Sequence, residues 1–138
     1  MINSYTNTNQ TVATNSPLLF NVNSVKTGCT VTHSEGTASF SLNKPGFYYV
    51  SFSGVGFSTG TTGGTIIVQL QNKGVNVPGA LASADSTTPE DIEDLSFSTI
   101  IQVKPSCCAV DNTATLTLVN TGISTTYSNA NLVITKLC

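Results

Sequence analysis

Cys29 and His33 stand four residues apart, a soft sulfur and the chain's one imidazole within reach of a common segment. Such a pair could hold a metal ion or make a thiolate nucleophile. Along an extended strand, however, four residues span about 13 Å, too far for a shared ion unless the strand is bulged. A buried thiol and an edge histidine are therefore expected. The run Pro89-Glu90-Asp91-Ile92-Glu93-Asp94 gathers four of the seven acids. Oxygen ligands of this kind suit calcium, and three copies meeting on an axis could share one ion. No EF-hand spacing is present, so a solvated acidic loop over 90–94 is the simpler reading. Cys107-Cys108 follows Pro105-Ser106 and allows a vicinal disulfide, a soft-metal ring across subunits or two packed thiols, the last being favoured.

Serines and threonines are abundant, yet a hydroxyl nucleophile needs a base beside it and His33 is the one candidate. There is no Gly-x-Ser-x-Gly elbow. Gly54, Gly56, Gly60, Gly63 and Gly64 lead into a strand without the lysine and helix start that a phosphate-binding loop requires. The chain is expected not to be an enzyme, and neither a cofactor nor a metal is expected.

The composition sets the surroundings of these groups. Charged residues are 9% of the chain, against about 25% in an ordinary globular protein. The exposed surface must then be largely hydroxyl and amide. A hydrophobic content of 39% with a net charge of −2 excludes a disordered chain. The five lysines (Lys26, Lys44, Lys73, Lys104, Lys136) lie far apart in sequence, which speaks against nucleic acid as a partner. Membrane binding is not expected either: no apolar run approaches the roughly 20 residues of a spanning helix. The N-terminal stretch MINSYTNTNQTVATN has neither the basic start nor the apolar core of a signal peptide, and synthesis in the cytoplasm is expected. The four cysteines are read as mostly reduced.

Almost every segment reads as strand, since β-branched and aromatic residues alternate with Ser and Thr between Gly, Pro and Asn. Strands are expected at 18–22, 28–33, 37–42, 46–57, 65–71, 95–103, 113–120 and 130–137. Turns are expected at Asn43-Lys44-Pro45-Gly46 and Asn72-Lys73-Gly74. About eight strands in one domain means a sandwich or a barrel. Ala38, Phe40 and Leu42 alternate with Thr37, Ser39 and Ser41, giving one dry and one wet face. Strand 46–57 departs from this: Tyr48, Val50 and Phe52 share one face, while Phe47, Tyr49, Val55 and Phe57 share the other. Residues 66–68 and 132–134 behave alike, so a sheet carrying all three segments should have its outer face covered. A second copy of the chain is the favoured cover, with a folded-over loop 75–94 as the alternative. Residues 1–16 read as a polar arm that orders on a neighbour, with Tyr5 and Val12 as its anchors, and 17–138 as the domain. Asn76–Asp94 reads as a long inserted loop.

Residues 40–52, FSLNKPGFYYVSF, place Phe40, Gly46, Tyr48, Val50 and Phe52 at the spacing of the C1q-domain motif, in which a Pro-Gly turn opens a Gly-x-Tyr strand. The chain thus resembles the C1q/TNF-like jelly rolls. The segments TIIVQLQNKG, LSFSTIIQV and NANLVITKL also resemble C-terminal domains of bacterial collagen-like spore-surface proteins and small bacteriophage surface proteins. The resemblance implies an all-β, ten-stranded antiparallel jelly-roll sandwich that forms a homotrimer, with the closing strand and the Gly-x-Tyr strand near the threefold axis. Phe47, Tyr49, Val55, Phe57 and Val133 are then the expected trimer interface. The expected role is structural: a trimeric module decorating a larger assembly such as a bacteriophage capsid or fibre, located in the virion. The alternative is a spore-surface, cell-surface or secreted adhesin whose loops 58–64 and 76–94 grip glycan or protein.

Overall fold

The computed structural model describes residues 1–60, 63–88, 91–105, 107 and 113–138. Among them are twelve strands and no helix. In chain order they are Ile2–Thr6 (β1), Gln10–Val12 (β2), Ser16–Pro17 (β3), Val22–Lys26 (β4), Val31–His33 (β5), Phe40–Leu42 (β6) and Gly46–Ser58 (β7). There follow Gly64–Asn72 (β8), Val75–Ser86 (β9), Glu93–Val103 (β10), Ala114–Asn120 (β11) and Thr125–Lys136 (β12). All pairings are antiparallel and form two sheets. The first has the order β10-β7-β12-β1-β4, with β2 also on β12, and the second has β5-β6-β11-β8-β9, with β3 also on β11.

Period-2 alternation explains how the sheets face each other. Tyr48, Val50 and Phe52 of β7 and Leu132 and Ile134 of β12 point inward, against Phe40, Leu42, Leu116, Leu118, Val68 and Leu70 of the second sheet. The hairpin β8–β9 turns through Lys73 (φ 51°) and Gly74 (φ 81°), positive at both central positions as a tight hairpin turn requires. The turn before β7 depends on Gly46 at φ 143°. A Cβ there would collide with the Cys138 carbonyl oxygen and the Lys136 side chain, so no other residue fits. We expect Gly46→Ala to lower unfolding stability by about 2 kcal/mol or more, read as a shift in the denaturant midpoint.

Four expectations are corrected. Residues 1–16 are not an arm. β1 lies between β12 and β4, pairing Ile2 with Ile134 and Lys26, and it buries Ile2, Ser4 and Thr6. The low charge and many amides of this stretch suit a strand whose outer face is polar, which composition cannot separate from a tail. Residues 75–86 are not a loop covering the first sheet, because they form β9, paired to β8 at the edge of the second. Its small residues Ala80, Ala82 and Ala84 hide an alternation that bulkier side chains would display. Finally, 66–68 belongs to β8 in the second sheet, so it does not share a sheet with 46–57 and 132–134. The expected strand 18–22 is largely irregular: Leu18 and Phe20 are buried, but Phe20 makes only an isolated bridge to Thr37.

Candidate functional site

Among the described residues, nothing covers the outer face of the first sheet. Register places Ile100, Tyr49 and Thr135 side by side across β10, β7 and β12, with Phe47 beside Gln102 at one end. The next two rows are Ser98, Ser51, Val133 and Asn3, then Ser96, Ser53, Asn131 and Tyr5. Phe47 is 42% exposed, Tyr49 36% and Ile100 60%. Val55, Phe57 and Val133 are half-buried on the same face. The face is therefore apolar at one end, with a belt of small hydroxyls and amides across its middle. In that belt the Oδ1 atoms of Asn3 and Asn131 are buried and accept no hydrogen bond from any described residue. An acceptor removed from water without a donor costs about 1–3 kcal/mol, so both are suited to donors brought by another molecule.

The motif residues Phe40, Tyr48, Val50 and Phe52 are all buried on the inner face. The Tyr48 hydroxyl donates to the Lys44 carbonyl oxygen (2.6 Å), tying the strand to the turn that precedes it, and burial raises its pKa. Tyr5 lies half-buried on the outer face, and Val12 is buried where β2 joins β12.

Cys29 and His33 are not brought together. Cys29 is exposed and lies before β5, against the buried thiol expected, whereas His33 sits on β5, the edge strand of the second sheet, with its ring buried. The ring of His33 stacks on Phe40 with centroids 4.0 Å apart and meets Phe20 edge-on. Nε2 lies 2.9 Å from the Thr37 carbonyl oxygen and Nδ1 lies 2.8 Å from Asn23 Oδ1. Ser4 Oγ is 3.4 Å from Nδ1, but it also donates to the Val22 carbonyl oxygen, and both residues are closed to solvent. This arrangement braces β1, β4 and β5 and engages both ring nitrogens of His33 at the edge of a groove of about 430 Å³ lined also by Lys26, Thr32, Thr37 and Ser39.

A neutral imidazole has one N–H for the two oxygens it faces, while the cation could serve both. Burial nevertheless dominates and lowers the pKa of His33, against the raising effects of the Thr37 carbonyl and the Glu35 carboxylate, with Lys26 adding to the lowering. The sign follows: stability from the neutral ring is full above the unfolded-state value near 6.5 and is lost as pH falls through the folded value. We expect the denaturant midpoint to drop between pH 7 and pH 5, and His33→Gln to remove that part of the slope.

Of the acidic run, Pro89 and Glu90 lie outside the described residues, as do Ser106 and Cys108. Asp91 accepts hydrogen bonds from the Thr87 amide and hydroxyl, which caps the link between β9 and β10. Among the described residues no group of three His, Cys, Asp or Glu could hold a metal ion. No described helix is long and apolar enough to cross a membrane.

Sequence reasoning missed a buried amide hub. Asn120 is fully buried, donates from Nδ2 to the carbonyl oxygens of Val12 (2.9 Å) and Ile123 (2.8 Å), and accepts from the Tyr127 hydroxyl (3.1 Å). Gln69 plugs the irregularity between β8 and β9 in the same way, its Nε2 lying 2.9–3.1 Å from the carbonyl oxygens of Leu70, Val77 and Ala80. An amide at an otherwise alternating strand position was the available signal for both.

No protein-family description matches the chain, and no curated protein matches it in sequence. Solved structures do match its shape. The globular domain of zebrafish complement 1qA superposes with a TM-score of 0.66 at 10% identity, covering 99% of this chain and 96% of that one. Murine APRIL gives 0.57 at 8% identity over 99% and 97%. Vertex protein P5 of PRD1 gives 0.54 at 14% identity over 95% and 93%. The chain has the C1q/TNF-like jelly-roll fold.

Proposed function

We propose that the protein is a non-enzymatic structural module that self-associates as a homotrimer and decorates a larger assembly, with the bacteriophage virion as its setting. The observation that carries the assembly half is the uncovered apolar end of the first sheet, with Phe47, Tyr49 and Ile100 in solvent beside two orphaned amide oxygens. Covering that face with a second copy buries the rings and can bring donors to Asn3 and Asn131. The virion half is supported by the end-to-end likeness to the PRD1 vertex protein.

Light scattering of the purified protein tests the first half: a trimer is expected, and a strict monomer at micromolar concentration overturns it. Phe47→Glu with Tyr49→Glu should convert the trimer to a folded monomer, because the two added carboxylates would have to lose water inside the contact. Mass spectrometry of purified virions tests the second half, and absence from the particle counts against it.

A further inference from the structure

Four of the five lysines, far apart in sequence, lie at one end of the sandwich, Lys26 on β4 being the exception. Gly46 opens β7; Lys44 precedes it by two residues, Lys104 follows its register partner Val103, and Lys136 packs its side chain against it. Lys73 occupies the tip of the β8–β9 hairpin at the same end, where its amide donates to the Thr115 carbonyl oxygen. The described acids of the β9 and β10 region, Asp85, Asp91, Glu93 and Asp94, lie at the opposite end, since Asp94 pairs with Val55 and Asp85 with Thr65. β7 is 13 residues long, so the two ends stand about 40 Å apart, several screening lengths at physiological salt. Each end acts as a separate electrostatic surface, and no described Asp or Glu side chain stands among Lys44, Lys104 and Lys136.

We propose that the lysine end is the attachment surface of the module and seats on a carboxylate-rich protein surface. The proposal deepens the decorating role and rests on it. Protein is favoured over nucleic acid because apolar groups accompany the cations: Leu137 beside Lys136 is 52% exposed and Val75 beside the Lys73 turn is 70% exposed. Next to that turn a groove of about 380 Å³ runs from Val75, Val77 and Pro78 to Thr99, Ile100 and Gln102 of β10; its β10 side is continuous with the face that the proposed trimer covers, and its Val75 side adjoins the Lys73 turn. A phosphate backbone has no use for such a seat, and the chain has no arginine fork with which to grip one.

The test is fluorescence anisotropy with two probes, a synthetic Glu/Leu peptide and a duplex DNA of equal charge, on protein whose oligomeric state is measured in parallel. The peptide should bind more tightly than the DNA and weaken steeply with added salt. Lys44→Gln/Lys104→Gln/Lys136→Gln should weaken it at least about tenfold, while the corresponding triple arginine variant should retain binding. Val75→Ser in the groove should weaken the peptide without altering the DNA. Equal binding by the triple glutamine variant overturns the proposal, as does tighter binding of DNA or no binding by an intact trimer. A monomeric wild-type protein would overturn the assembly reading instead, so the two failures are separable.

Discussion

Asn120→Leu is expected to destabilise the domain by about 3–5 kcal/mol, which is a third or more of the stability of a typical domain. The two side chains share heavy-atom count and branching, but the methyl groups of Leu are bulkier than the amide, so overpacking adds to the loss of hydrogen bonds. Two carbonyl oxygens, those of Val12 and Ile123, lose the amide donor, and the Tyr127 hydroxyl loses its acceptor in a site closed to water. The Ile123 oxygen keeps the Thr125 hydroxyl as a second donor, which limits the damage there. Denaturant unfolding would measure the loss. A second variant gives the mechanism away: Tyr127→Phe added to Asn120→Leu should cost less than the sum of the two single changes, because the orphaned hydroxyl is then gone. Additive costs would mean that the hub is not a unit. Asn120→Asp should be worse at neutral pH than in acid, since its carboxylate would face carbonyl oxygens with no proton to offer; protonation restores one donor and part of the stability.

The position of Asn120 explains why so much depends on it. It ends β11 in the second sheet, and its amide reaches Val12 on β2 in the first sheet and the turn that leads into β12. Loss of this link frees both sheets at the acidic end of the sandwich, while the lysine end is held separately by the Gly46 turn and Tyr48.

What could be read from the sequence was what depends on local pattern. Alternation in 46–58 separates Tyr48, Val50 and Phe52 from Phe47 and Tyr49, and the fold keeps that separation as inside against outside. Turn chemistry located Lys73-Gly74 and the Pro45-Gly46 turn for the same reason, since φ is a property of one or two residues. The rest depends on which strands become neighbours. His33 is an edge-strand residue, but its burial shows only when β5 is laid beside β6 and its ring meets Phe40 across the pair. The lysines look dispersed because antiparallel strands return distant positions to the same end. The candidate face was legible as a two-sided apolar strand, but its orphaned amides were not, because Asn3 and Asn131 are 128 positions apart and meet only through the β1–β12 pairing.

Removal of residues 1–6 discriminates most sharply between the sequence pattern and the fold, and we expect it to unfold the domain. A polar arm could be cut away with little change in the melting transition. β1 is instead an interior strand of the first sheet, hydrogen-bonded on both sides. Its loss exposes the inner edge of β12, detaches β4 from the sheet and removes Ser4 from beside the His33 ring. Ile2 is fully buried, and burying such a side chain is worth about 1.5–3 kcal/mol. Each ladder hydrogen bond adds about 0.5–1.5 kcal/mol, so the strand as a whole contributes on the order of the entire stability of a small domain. Circular dichroism and a thermal scan would decide it: absence of a cooperative transition is the expected result. Ile2→Asn, which keeps the backbone pairing, should be intermediate at about 2–4 kcal/mol. A truncated protein that melts like the intact chain would show that β1 adds little to the sheet, and would return residues 1–6 to the status of an arm free to pair with a neighbour.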